Sequence, residues 1–215
     1  MKIKKLGHCC MQIDHKGKRI LTDPGAYAEG YEDVKDVDII LITHEHGDHL
    51  HTSSLELVKK NNPNAIIVTN NGVGIILSEM KVDFKILTDG NSEVFNELLF
   101  EAFGTQHEEI YKEIGQVENT GYFIDNYLFY PGDAFTVIDK PVPLLALPVE
   151  GPWMKISEAI EYALAQKPKV CFPVHDGRLR PDRIGANHKV PSVVLPKHGI
   201  EFVKLLEMEE HDFGD

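Results

Sequence analysis

The segment Thr43-His44-Glu45-His46-Gly47-Asp48-His49 places three imidazoles and the Asp48 carboxylate within six residues. Each of these side chains carries polar atoms that need partners, so they cannot all point into an apolar core. Imidazole nitrogens and carboxylate oxygens are ligands for divalent cations. On an extended backbone His44 and His46 point to one side. Asp48 and His49 follow a turn at Gly47, which suits two adjacent ion sites with one pair serving each. Three later residues fit the same chemistry: His107, Asp133 in Pro131-Gly132-Asp133-Ala134, and His175 in Pro173-Val174-His175-Asp176-Gly177. Taken singly, each reads as a cap or turn residue. As a set they supply the remaining ligands of a two-metal site.

The elements that must position these residues are legible as short apolar runs. Cys10–Asp14 and Arg19–Thr22 flank the Gly-containing turn His15-Lys16-Gly17-Lys18, which predicts a hairpin. Asp38–Thr43 is a nearly continuous β-branched run, as expected of a strand buried on both faces, and the histidine cluster follows it directly. Ser54–Lys60 reads as a helix, 65–69 as a second buried strand, and 72–80 as a short helix. Strands are expected at 98–103, 121–124 and 127–130, the last two joined by Asp125-Asn126 as a two-residue hairpin connection. Leu144–Leu147 is a further apolar run. Ile156, Ala159, Ile160, Ala163 and Leu164 form the stripe of an amphipathic helix that Pro168 ends, before a strand at 169–174. His107, Asp133 and His175 each stand where such a strand gives way to a loop, the usual place for site residues on an α/β scaffold. Mixed sheets covered by helices, a layered α/β sandwich, account for this order.

The 215 residues, 42% hydrophobic and 26% charged, read as one domain spanning 1–215. With 22 Lys and Arg against 34 Asp and Glu, the net charge of −12 argues against general nucleic-acid binding. Three cysteines form no disulfide framework, no secretory signal is visible, and no run is long enough to span a membrane. A cytoplasmic location is the expectation.

The order H-x-H-x-D-H, a lone His, Gly-Asp and a late Pro-x-His resembles the metallo-β-lactamase-fold hydrolase superfamily, over nearly the whole chain. The short length, the opening Leu6-Gly7-His8-Cys9 and the late Phe172-Pro173-Val174-His175 resemble its branch of small hydrolases that includes L-ascorbate-6-phosphate lactonase-like proteins. The resemblance implies a four-layer αββα sandwich with the site at one edge, between the two sheets. It implies that His44, His46 and His107 hold one ion, that Asp48, His49 and His175 hold the second, and that Asp133 bridges them. Zinc suits this set; manganese, iron or nickel fit as well. The expected reaction is hydrolysis by a metal-bound hydroxide of a small ester, lactone, amide or phosphoester, with Asp48 orienting the water and shuttling its proton.

Around this centre, His8 is a candidate site residue and Trp153 a candidate pocket wall. Arg178, in the basic stretch with Arg180, Arg183 and Lys189, is a candidate for holding a phosphate or carboxylate of the substrate. Cys9 and Cys10 match no zinc spacing and read as core residues. Ligand roles are not expected for His51, His188 or His198. The alternatives are an iron-dependent oxidoreductase on the same scaffold and a non-catalytic metal-binding module. A nuclease acting on transfer RNA is disfavoured by the charge. Association into a homo-oligomer is left open.

Overall fold

Ile39, Ile40 and Leu41 are all fully buried, yet they do not share a core. Ile39 and Leu41 pack into one apolar cluster and Ile40 into another. Successive side chains of a strand point to opposite faces, so a strand apolar at every position must be covered on both sides.

The computed structural model describes residues 1–214. Strands β1 (Lys2–Gly7), β2 (Cys10–His15), β3 (Lys18–Thr22) and β4 (Ile39–Leu41) precede α1 (Thr52–Asn61), β5 (Ile66–Thr69), α2 (Asn71–Glu79) and β6 (Lys85–Ile86). Then follow β7 (Ser92–Phe95), β8 (Leu98–Phe103), β9 (Gly121–Ile124), β10 (Leu128–Tyr130) and β11 (Leu144–Pro148). After these come α3 (Ile156–Gln166), β12 (Val170–Val174), α4 (Gly185–Val194), β13 (Glu201–Phe202) and β14 (Glu210–Asp212). One sheet runs β14-β1-β2-β3-β4-β5-β6 and the other β13-β12-β11-β10-β9-β8-β7.

Three apolar clusters define four layers. Ile13, Ile20, Ile39 and Leu41 of the first sheet meet Phe100, Tyr122, Leu144 and Phe172 of the second. Ile40 and Ile67, on the outer face of the first sheet, are covered by Leu55 and Val58 of α1 and by Val73 and Leu77 of α2. On the other side, Phe129, Leu145 and Cys171 lie beneath Ala159, Ile160 and Ala163 of α3. The expected αββα sandwich is what forms.

The first hairpin turns through Lys16-Gly17, His15 pairing with Lys18. The second also turns at Asp125-Asn126, with positive φ at both residues as in the first, but Leu128 pairs with Ile124, so its connection is three residues rather than the two expected. That backbone twist matches the right-handed twist of the strands it joins. The strand expected at 38–43 is shorter, β4 ending at Leu41. Thr43 is drawn out of the ladder because its backbone and hydroxyl both donate to Asp23. Helix α4, with Pro191 inside it, and the short strands β6, β7, β13 and β14 carry too little periodicity to be read from the sequence.

Strands β3 to β6 pair in parallel, as do β10 to β13. Antiparallel steps through β2 and β9 orient β1 with β3 and β8 with β10. Loops from the carboxyl ends of both sets therefore emerge together, the position where open α/β sheets carry ligands. No helix among the described residues is long and apolar enough to cross a membrane.

Candidate metal centre

Every residue singled out from the sequence as a ligand follows the carboxyl end of one of these strands. The His44–His49 loop follows β4, His107 follows β8, Asp133 follows β10 and His175 follows β12. His44, His46 and His107 bring a ligand nitrogen each to within 4.8 Å of one another, and Asp48, His49, His175 and His8 form a second group on the same criterion. Asp133 lies between them: its Oδ2 is 3.2 Å from His107 Nε2 and 2.8 Å from His175 Nε2, and its Oδ1 is 3.2 Å from His49 Nε2. The structure thus brings all seven predicted ligands together.

The far ring nitrogens explain why the near ones face inward. A carbonyl or carboxylate oxygen can only accept, so the Nδ1 facing it must carry the proton. His107 Nδ1 donates to Glu108 O and His175 Nδ1 to Glu150 O, both at 2.5 Å, and His49 Nδ1 donates to Asp23 Oδ2 at 2.7 Å. His44 Nδ1 lies 3.0 Å from Thr43 Oγ1, whose own proton goes to Asp23. In the neutral rings this leaves lone pairs on Nε2. Nε2 of His44, His49 and His175, together with Asp133 Oδ1, is buried with no hydrogen-bond partner. A buried polar group left so costs about 1–3 kcal/mol. A divalent cation removes that cost, and nitrogen and carboxylate donors are those that zinc and its neighbours accept. The residues present fit such ions.

The electrostatics divide the histidines. Burial holds the His44 and His46 imidazoles below their ordinary pKa. At His49 and His175 burial works the same way but is outweighed by the Asp133 carboxylate, joined at His49 by Asp23, so these two rings favour a proton on the nitrogens where a cation would compete with it. Burial opposes charge on Asp133 and on Asp48. The first is nonetheless held well below the carboxylate range by His175 and His49, the second by His8 and His49. The pocket calls for positive charge.

Supporting contacts come from residues that the sequence did not single out. Asp23, fully buried after β3, accepts from His49, from the Thr43 amide and hydroxyl, and from the Tyr130 hydroxyl. Its signal was available: an acidic residue at the end of an apolar strand, before Pro24-Gly25. Asn119 holds the Asp133 loop by donating to Pro131 O and accepting from Asp133 N. Gly132 between them has φ +64°, and a Cβ there would stand 2.3 Å from Asn119 Oδ1. Asn70 caps α2 and donates to Thr43 O at 2.8 Å, tying the histidine loop to the next helix.

Trp153 is buried, donates from Nε1 to Asp133 Oδ2 at 3.0 Å, and meets the His107 and His175 rings edge-on. It shares with Ile110, Pro152 and Arg178 the walls of a cavity of about 310 Å³ floored by the ligand cluster. Of the basic stretch, Arg180 and Arg183 pair with Asp182, and Arg178 is the member that reaches this cavity. His51 and His188 lie outside, on Ser54 and Asp176. Cys9 is buried, but its thiol stands within 4.8 Å of ligand atoms of His49 and Asp133, beneath the centre rather than remote from it.

Residues 2–175 match the family model described as the beta-lactamase superfamily domain. The chain belongs to this family. The protein Rv0786c of Mycobacterium tuberculosis is 32% identical over 99% of this chain and 95% of its own length. A UPF0173 metal-dependent hydrolase of Pyrococcus horikoshii is 29% identical over 81% of this chain and 84% of its own. Among solved structures, Igni18, a metallo hydrolase from Ignicoccus hospitalis, superposes with a TM-score of 0.77 at 18% identity, covering 99% of both chains. These matches place the superfamily and its metallo-β-lactamase fold; they do not single out the lactonase-like branch.

Proposed function

We propose that this family member is a metal-dependent hydrolase of a small ester, lactone, amide or phosphoester. The observation that carries this reading is the set of buried Nε2 lone pairs converging with Asp133 at the floor of a small cavity. Relatives named as metal-dependent hydrolases support it. His44, His46 and His107 would hold one divalent ion, Asp48, His49 and His175 a second, and Asp133 both; zinc or manganese suits these donors. Ions bound there supply Lewis acidity and lower the pKa of water into the neutral range.

The chain's own groups do the rest. Asp48, one-quarter exposed and ionised, is the carboxylate able to orient the attacking water and accept its proton. Trp153 keeps Asp133 in place through its indole N–H and excludes water from one side. Arg178, at the mouth, offers a planar pair of donors to a carboxylate or phosphate substituent. A cavity of about 310 Å³ over the cluster is of the size that receives a small molecule or one group of it.

The test combines elemental analysis of protein purified without added metal with turnover of phosphodiester, lactone and ester substrates. About two equivalents of zinc or manganese, with turnover lost in His46→Ala and Asp133→Ala, is the expected result. Two irons without hydrolysis would favour an oxidoreductase, and bound metal with no turnover a binding module. No retained metal would overturn the site itself.

A further inference from the structure

By distance alone His8 belongs among the ligands. Its Nε2 stands within 4.8 Å of ligand atoms of Asp48, His49 and His175, is buried, and makes no hydrogen bond of good geometry. The other ring nitrogen sets it apart. His8 Nδ1 faces the backbone N–H of Gly177 at 3.2 Å, and a backbone N–H can only donate. Nδ1 is therefore the acceptor, and in the neutral ring the single proton resides on Nε2. His49, His107 and His175 are the reverse, each with Nδ1 against an oxygen and the lone pair turned inward.

The ring has little freedom to exchange these roles. His8 sits at φ +52° in the turn between β1 and β2, and its carbonyl accepts from His175 N at 3.2 Å. Gly177 approaches so closely that a Cβ on it would stand 2.8 Å from His8 Cβ and 3.1 Å from its backbone. The imidazole lies 4.0 Å from the His175 ring, with His49 and Tyr27 edge-on to it at 5.5 and 5.4 Å. Its Nε2–H is left facing Asp48 Oδ2 at 3.3 Å.

We propose that His8 is a positioning residue, a neutral Nε2–H donor that fixes the Asp48 carboxylate and does not ligate metal. The proposal deepens the hydrolase reading and rests on it for the role of Asp48, but the tautomer of His8 stands on the Gly177 contact alone.

Long-range proton–nitrogen NMR of protein labelled at histidine nitrogen, metal-free and zinc-loaded, reads that tautomer, with His8→Gln supplying the assignment. The expected result is a protonated Nε2 and an unprotonated Nδ1 on His8 in both states. Zinc content should be unchanged in His8→Leu and His8→Gln. On whichever test substrate the protein hydrolyses, His8→Leu should lower kcat about 10–100-fold, the range for lost outer-shell partners, with KM within about twofold. His8→Gln, which keeps an N–H donor, should recover part of the loss. A zinc-shifted His8 Nε2, a protonated Nδ1, or one equivalent fewer zinc in both variants would overturn the proposal. Failure of the unaltered protein to take up either zinc or manganese would instead break the hydrolase reading, while the metal-free spectrum still decides the tautomer.

Discussion

His175 and Asp176 are neighbours at the end of β12, yet they enter two buried polar clusters of opposite character. Asp176 gives Oδ1 to the fully buried Lys5 ammonium at 2.5 Å and Oδ2 to His188 Nε2 at 2.7 Å. Lys5 also reaches Pro173 O and Leu205 O. Both oxygens of this carboxylate meet donors, and opposite charges offset one another inside the protein. His175 instead joins a cluster in which Nε2 of His44, His49 and His175 makes no hydrogen bond and whose carboxylates call for positive charge. A buried cluster whose carboxylate is met on both oxygens is scaffold, even with His188 Nδ1 left without a partner; one that aims several lone pairs at a common centre is built for something it does not itself contain.

The sharpest way to break this comparison is to remove its centre. Asp133→Ala is expected to reduce turnover to background and to strip most of the bound metal, read by elemental analysis; full retention of both would mean that the unpartnered nitrogens are not a metal site. Next in size, Lys5→Met leaves Asp176 buried without its counter-charge, at a cost of about 3–5 kcal/mol. Thermal unfolding should fall by roughly 10 °C, with metal per folded chain unchanged. If metal is lost as well, the two clusters are one unit. Asp23→Asn tests the link between scaffold and centre, since Asp23 holds the His49 tautomer. Competition with a chelator should show metal affinity reduced about 10–100-fold, and an unchanged affinity would remove Asp23 from the assembly.

A pH experiment separates the clusters further. Burial opposes charge on Asp176, but Lys5 and His188 outweigh it and hold the carboxyl below its ordinary 3.8. The unfolded chain therefore binds this proton more readily than the folded one. The pair's contribution is present at neutral pH and declines as pH falls from about 4 through the lower folded value. Chelator-treated protein should lose stability across that range, and Lys5→Met should show a shallower decline. An equal decline in both would assign acid sensitivity elsewhere. The smallest effect is expected at Arg178, which is exposed: Arg178→Ala should raise KM for anionic substrates roughly 2–5-fold, as for exposed charge pairs, with kcat unchanged. Equal KM for anionic and neutral substrates in the two proteins would remove Arg178 from recognition.

Much of the frame was readable residue by residue. The apolar run within Asp38–Thr43 announced a strand covered on both faces, and Asp125-Asn126 announced its turn, because both are local consequences of side-chain alternation and backbone sterics. The candidate ligands were visible because imidazoles and carboxylates at strand ends have few other uses when they cluster. Asp23 escaped notice because its partners, Thr43, His49 and Tyr130, are up to 107 residues away. The Lys5–Asp176 pair escaped for the same reason, joining residues 171 apart.

The sequence by itself therefore determined which donors exist, their order, and the strands that carry them. The tertiary structure alone decided which way each donor faces. An imidazole becomes a ligand or a hydrogen-bond donor according to what meets its other nitrogen. For His49 that is a carboxylate 26 positions away, and for His8 a backbone N–H 169 positions away. Composition and spacing carry no record of such meetings, because they are made by two sheets closing on one another rather than by any local run of chain.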